Sequence, residues 1–304
     1  MIDHKELDEI KNISNANQEM HDLISAYYDA SNMILLDEGV GSQIRLNNTL
    51  QDLADKSAGF RLIDLGCGTG NVLKLSKNFF KKIVGVDVSV KMLEHCRNFG
   101  ATLLMGDINF IPFKNDVADV VTCFSVVHHL YQPKLLFQEI FRTLKPGGYF
   151  YSDNDPSQFA TELHDLNKQS KLFQWLMGIY FLPLRFSKHF RKRTKMLEEF
   201  KATLISLGKE EVFESVSNKA EYHLKTGMNP YALKSLLEDI GFQDVTIYFH
   251  FRGKDLRHNL TLIEKLSLII RMIAKLKFSF RYDSRTLELK ELSPYFAILA
   301  KKPK

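Results

Sequence analysis

Short apolar runs alternate with amphipathic stretches through the middle of the chain, a pattern that predicts buried strands with helices between them. Ile63-Asp64-Leu65 is the first run and passes straight into glycines; Lys82-Ile83-Val84-Gly85-Val86-Asp87 is the second and Ala101-Thr102-Leu103-Leu104-Met105 the third. The fourth, Ala118-Asp119-Val120-Val121-Thr122-Cys123-Phe124-Ser125, is apolar on both faces, as a strand inside a parallel sheet must be. Ser89 is placed to cap a helix through Cys96, and a longer helix is expected from Pro133 to Leu144. Lys145-Pro146-Gly147-Gly148 reads as a turn into a fifth strand, Tyr149 to Asp153. Residues 1–60 read as helices, with Met20, Leu23, Ile24, Tyr27, Tyr28, Ile34 and Leu35 near helical spacing. Downstream, Asn229 to Ile240 reads as a helix closed by Gly241, followed by strands at Phe242 to Phe251 and Tyr295 to Ala300.

The glycines carry the first chemistry. A strand that ends in glycine lets the backbone approach a ligand with no Cβ in the way, and the next helix turns its free N–H groups toward that ligand. A dinucleotide loop spaces its glycines G-x-G-x-x-G. Here they fall at Gly66, Gly68 and Gly70, and position 71 is Asn, which argues against NAD and a dehydrogenase.

With Asp64 in front, the loop Asp64-x-Gly66-x-Gly68-x-Gly70 resembles the first motif of the class I S-adenosylmethionine (SAM) methyltransferases. Four later segments match the same family in order: Asp87 at the second strand end, Gly106-Asp107-Ile108 after the third, Ser125-Val126-Val127-His128-His129 after the fourth, and Lys145-Pro146-Gly147-Gly148 before the fifth. The fourth segment is similar to that of members that methylate quinones, sterols and other small molecules. The resemblance implies an α/β, doubly wound Rossmann-like fold: a seven-stranded, mostly parallel sheet with a helical N-terminal segment and lid insertions. It implies that SAM is held by Asp64, Gly66, Cys67, Gly68, Gly70, Asp87, Val88, Met92, Asp107, Ile108 and Ser125. Asp87 would take the ribose hydroxyls and Asp107 the adenine amino group, with Val88, Met92 and Ile108 as apolar faces for the ring. Cys67 stands where the family commonly has Cys.

Charge separates the halves. Residues 1–152 hold 15 Lys/Arg against 18 Asp/Glu and the remainder 26 against 18, so the basic character lies outside the cofactor half. The expected organisation is an N-terminal helical cap over 1–60, the SAM-binding core over 61–156, a helical lid insertion over 157–228, and the rest of the core sheet over 229–304 with a second insertion at 252–290. The first insertion holds the apolar stretch Leu172–Leu184 and then Arg185 to Lys195, with six Lys/Arg in eleven residues; the second holds the amphipathic stretch Leu262–Leu276. An apolar anchor with a basic collar predicts a peripheral membrane contact or an amphiphilic substrate. Met1 to Ile13 is polar and acidic, no apolar stretch reaches about 20 residues, and the three cysteines show no ligand spacing, so the expected setting is cytoplasmic and no metal site is expected.

The implied reaction is in-line attack of an acceptor O, N or C atom on the sulfonium methyl, which the protein assists by alignment and water exclusion. His128 and His129 are the candidate bases, with Asp153 and Asp155 behind them. The expected acceptor is a small or lipid-like molecule. A rival reading is nucleic-acid methylation through the basic 185–195 segment; a more distant one is a non-catalytic SAM-binding protein. Against the rival, the fourth segment lacks the Asn/Asp-Pro-Pro-aromatic motif of base-amine methylation, and no Pro-Cys nucleophile is present.

Overall fold

A computed structural model describes residues 3–28, 40–57, 59–159, 161, 198–250 and 294–304. Among these, the strands are β1 (Arg61–Leu65), β2 (Lys82–Asp87), β3 (Thr102–Met105), β4 (Ala118–Phe124), β5 (Leu144–Pro156), β6 (Gln243–His250) and β7 (Tyr295–Lys301). The labelled helices are α1 (His4–Ile24), α2 (Val40–Ser57), α3 (Asn71–Ser76), α4 (Val90–His95), α5 (Pro133–Thr143), α6 (Glu210–Lys219) and α7 (Pro230–Ile240).

The strands form one sheet in the order β3-β2-β1-β4-β5-β7-β6. β1 to β5 run parallel, and β7 runs antiparallel to both β5 and β6. β6 therefore points the same way as β4 and β5. The order turns back on itself between β1 and β4, the position at which open α/β sheets leave a crevice at the carboxyl ends of their strands. Both segments expected to be insertions begin at that edge, after Pro156 and after His250. Leu172–Leu184, Arg185 to Lys195 and Leu262–Leu276 themselves lie outside the described residues, as do Ile34 and Leu35.

Two apolar layers hold the sheet. One joins Phe137 and Ile140 of α5 and Leu233 and Leu237 of α7 to Ile63, Val121, Phe150, Phe296 and Ile298. The other joins Leu46, Leu50, Leu53 and Ala54 of α2 to Leu62, Leu73, Val120 and Ala297. Residues 40–57 thus cover the sheet directly. α1 packs elsewhere: its Ala16 and Met20 are buried against Val216 and Ala220, at the end of the first insertion.

The local chemistry explains most boundaries. Ser89 caps α4 through its side chain on the Met92 N–H, Asn229 caps α7 on the Tyr231 and Ala232 N–H groups, and Gly241 closes α7 at φ +116°. The expected turn at Lys145-Pro146-Gly147-Gly148 is different: β5 begins at Leu144, and these residues lie within it as an irregularity. Leu144 pairs with Ala118 and Tyr149 with Val120, so the extra residues bulge out of a ladder that continues on both sides.

Candidate active site

A cleft with about 1190 Å³ of empty space opens at the carboxyl ends of β1, β2 and β4. Asp64, Gly66, Cys67, Gly68, Asp87, Val88, Asp107, Ile108, Ser125 and His129 line it. Five other residues named from the sequence are outside the lining: Gly70, Met92, His128, Asp153 and Asp155. Met92 is fully buried, on the inner side of α4, while Val88 before the helix faces the cleft.

The two glycines at 68 and 70 serve different ends. A Cβ on Gly70, at φ +88°, would stand 2.6 Å from the Phe99 ring and 2.8 Å from Cys96 Sγ, so packing requires this glycine. A Cβ on Gly68, at φ +52°, would meet only a Tyr28 ring carbon at 4.0 Å and would otherwise project into the cleft. Gly68 is therefore the position where a ligand gains close access to the backbone.

The acids at the strand ends are anchored by backbone. Asp87 Oδ2 accepts the Gly68 N–H at 2.8 Å and Oδ1 the Ser89 N–H at 2.9 Å. Burial pushes its carboxyl up, and these two bonds oppose the shift. Asp107 Oδ1 accepts both the backbone and side-chain N–H of Asn109, each at 2.8 Å, so both bonds fall on one oxygen. Asp64 accepts the Thr122 hydroxyl at 2.7 Å, and burial pushes its carboxyl to about 7, helped by the negative charge of Asp87. The hydrogen bond with Cys96, together with burial, raises the Cys67 thiol well above its ordinary range, so Cys67 is not a thiolate nucleophile.

The paired histidines part company. His128 is buried, and its Nδ1 lies 2.8 Å from Asp155 Oδ1, which also accepts the His128 backbone N–H at 3.2 Å. Burial raises the Asp155 carboxyl and His128 opposes that, while the other Asp155 oxygen is buried without a partner among the described residues. His129 lines the cleft, and its Nδ1 lies 2.9 Å from Asn17 Oδ1. Burial, then the neighbouring His128 and His21, hold His129 well below its ordinary range, so it is neutral at neutral pH. Asp153 belongs to a third cluster: it accepts from Arg45, Tyr151 and His250 and is held well below the carboxylate range against its own burial. That cluster also accounts for Arg45, which ion-pairs there at 2.7 Å.

Sequence reasoning missed the residues that α1 and β5 bring. Ile10, Ile13, Asn17 and His21 line the cleft from α1, and Asn154 does so just after Asp153. The signal was present for Asn17: it sits on the stripe Ile10, Ile13, Asn17, Met20, all of them buried, where a polar residue must find partners. Asn154 at φ +63° and Ser125 at φ +60° are non-glycine residues in the left-handed region, at the ends of adjacent strands. The described residues also bring His21, His129 and Glu221 together, from three separate elements, so the expectation of no metal-ligand cluster holds only for linear spacing.

Residues 63–152 match the family model described as a methyltransferase domain. This segment is a class I SAM-dependent methyltransferase domain. Among curated relatives, the chain is 30% identical over 95 residues to a tRNA (carboxymethyluridine(34)-5-O)-methyltransferase of Arabidopsis thaliana, covering 30% of this chain and 23% of that protein. It is 29% identical over 144 residues to a demethylmenaquinone methyltransferase of Symbiobacterium thermophilum, covering 44% of this chain and 56% of that one. The chain thus spans little more than half of such relatives at most. In fold it is similar to a chain from the complex of the Haloferax volcanii Trm112 methyltransferase activator, with a TM-score of 0.51 at 15% identity, covering 93% and 98% of the two chains. Within the methyltransferase domain lie the glycine loop, Asp87, Asp107 and both histidines; α1 and the insertions lie outside it.

Two expectations follow. Gly68→Ala should cost about 1–2 kcal/mol of stability for its left-handed backbone and weaken S-adenosylhomocysteine binding, whereas Gly70→Ala should cost more stability through its clash with Phe99; urea unfolding and calorimetry separate the two. An acid raised to about 7 in the folded state destabilises that state as pH climbs from the ordinary carboxylate range toward 7. The unliganded protein should therefore lose stability over that window, and Asp64→Asn should flatten the slope in thermal unfolding at a series of pH values.

Proposed function

We propose that the chain is an active SAM-dependent methyltransferase whose acceptor is a small or lipid-like molecule. The observation that carries this reading is the roof: α1 lies across the cleft, with Ile10, Ile13, Asn17 and His21 in its lining opposite the glycine loop. A partly apolar cleft covered on one side by a helix suits a small acceptor that enters whole and is shielded from water during the transfer. A polynucleotide needs an open, basic face, whereas residues 1–152 carry more acid than base.

In this reading Asp87 takes the ribose hydroxyls, Asp107 the adenine amino group through the oxygen that Asn109 leaves open, and Asp64 the cationic methionyl end of SAM. Its raised carboxyl is what a site awaiting a cation produces: the ligand's charge replaces the proton. The acceptor's lone pair bonds to the methyl carbon, the C–S electron pair passes to sulfur, and the acceptor's proton is released. His129 is the side chain that meets the acceptor. Asn17 holds its Nδ1–H and leaves the Nε2 lone pair available, while His128 is a positioning residue that balances Asp155.

The test uses methyl-labelled SAM offered with an organic-extractable metabolite pool and, separately, with total RNA. Label should enter the organic fraction; label in RNA alone would overturn the acceptor class. His129→Ala should lower the rate by roughly 10²–10⁴-fold while keeping S-adenosylhomocysteine affinity. His128→Ala should instead destabilise the fold by about 3–5 kcal/mol, because it leaves a buried carboxylate without its pair.

A further inference from the structure

We infer that His21, His129 and Glu221 form a binding site for one divalent transition metal ion at the edge of the cleft, beneath α1. One ligand atom from each residue lies within 4.8 Å of the other two. The three come from α1, from the turn after β4 and from the residue that follows the C-cap of α6, so the fold rather than the local sequence assembles them.

One residue holds all three. Asn17 accepts His21 Nδ1–H on its backbone carbonyl at 2.8 Å and His129 Nδ1–H on its Oδ1 at 2.9 Å. The same Oδ1 accepts the backbone N–H of Glu221 at 3.0 Å, and Asn17 Nδ2 donates to the carbonyls of Ile13 and His129 at 3.0 and 3.1 Å. Those two carbonyls can only accept, so the amide orientation is fixed, and with it the tautomer of His129. Both rings therefore carry their proton on Nδ1 and leave the Nε2 lone pair for a ligand. This is how metal-binding histidines are prepared: the second nitrogen donates to a carbonyl, which sets tautomer and orientation. Glu221 stands at φ +51°, a left-handed conformation that a non-glycine residue keeps only where its surroundings hold it, and here Asn17 holds its N–H.

Two imidazoles and a carboxylate suit zinc-class ions and leave at least one coordination position open. Ligand distances of about 2.0–2.2 Å require the three ligand atoms to draw closer, and His21 and Glu221 are both half-buried side chains with room to turn. The ion's role in transfer, which rests on the methyl-transfer reading above, is to bind an acceptor hydroxyl and lower its pKa. With the His129 Nε2 lone pair on the ion, the ion replaces His129 as the group that activates the acceptor: the hydroxyl proton leaves to solvent, the oxygen lone pair bonds to the methyl carbon, and the C–S pair goes to sulfur. The products are a methyl ether, S-adenosylhomocysteine and one proton.

The test is titration of tag-free full-length protein with Co²⁺, read by visible absorption, with Zn²⁺ as competitor. One equivalent should bind with the d–d bands of a low-coordinate nitrogen and oxygen site, and without the intense sulfur charge transfer that the buried Cys67 and Cys96 would give. Glu221→Gln and His21→Ala should each weaken binding by roughly 100-fold, with circular dichroism and S-adenosylhomocysteine binding showing that the variants are folded. Absence of saturable binding, equal affinity in the variants, or a sulfur charge-transfer band would each overturn the site. Metal binding that depends on Glu221 in a protein that transfers no methyl group would contradict the methyltransferase activity and leave the metal site standing.

Discussion

The side chain of Asn17 is the interaction on which the placement of α1 over the cleft depends. It is buried on the inner stripe of α1, and its four polar contacts reach three parts of the chain that are distant in sequence: its own helix, the turn after β4 and the residue after α6. An amide buried in this way costs free energy unless every donor and acceptor is used, and each bond lost leaves a partner unsatisfied at about 1–3 kcal/mol. The same network that fastens the roof sets the tautomer of His129 and the backbone of Glu221. The position of α1 over the cleft and the orientation of His129 thus depend on the same side chain.

The other end of the cleft follows a different logic. The sheet reverses order between β1 and β4, so the glycine loop and Asp87 meet with backbone N–H groups converging on one carboxylate. Burial penalises the acids gathered there, and only part of that penalty is offset, by the Thr122 hydroxyl at Asp64 and by backbone N–H groups at Asp87, which leaves both raised. In the proposed function, a cationic, hydroxyl-rich ligand relieves the remainder. Farther along β5 the balance is reversed for Asp153, which its pairing with Arg45 and His250 holds low, while Asp155, paired with His128, stays raised by burial.

Local features were legible in the sequence and tertiary ones were not. The strands β1, β2 and β4 follow from apolar runs and the acids at their ends from position, because both depend on a few consecutive residues. Gly68 and Gly70 look alike in sequence, yet one faces the cleft and the other the Phe99 ring, a difference set by the packing of α3 and α4. Val88 and Met92 separate for the same reason. His128 and His129 are adjacent residues in one short turn with ring centroids 4.3 Å apart, and only the positions of Asp155 and Asn17 show which of them meets the cleft. The Lys145–Gly148 segment reads as a turn, but its ladder partner continues past it, so it becomes a bulge within β5. α1 offered one clue, a polar residue on an apolar stripe; its partners lie 112 and 204 positions away.

Hydrogen exchange of the Asn17→Ala protein tests the central claim most directly. Loss of the amide should speed exchange across residues 4–24 and around residue 221, while the amides of β1 and β4 keep their protection. Unchanged protection of α1 in the variant would contradict the account, since the roof would then be held by its apolar contacts alone and Asn17 would not set the position of α1 over the cleft.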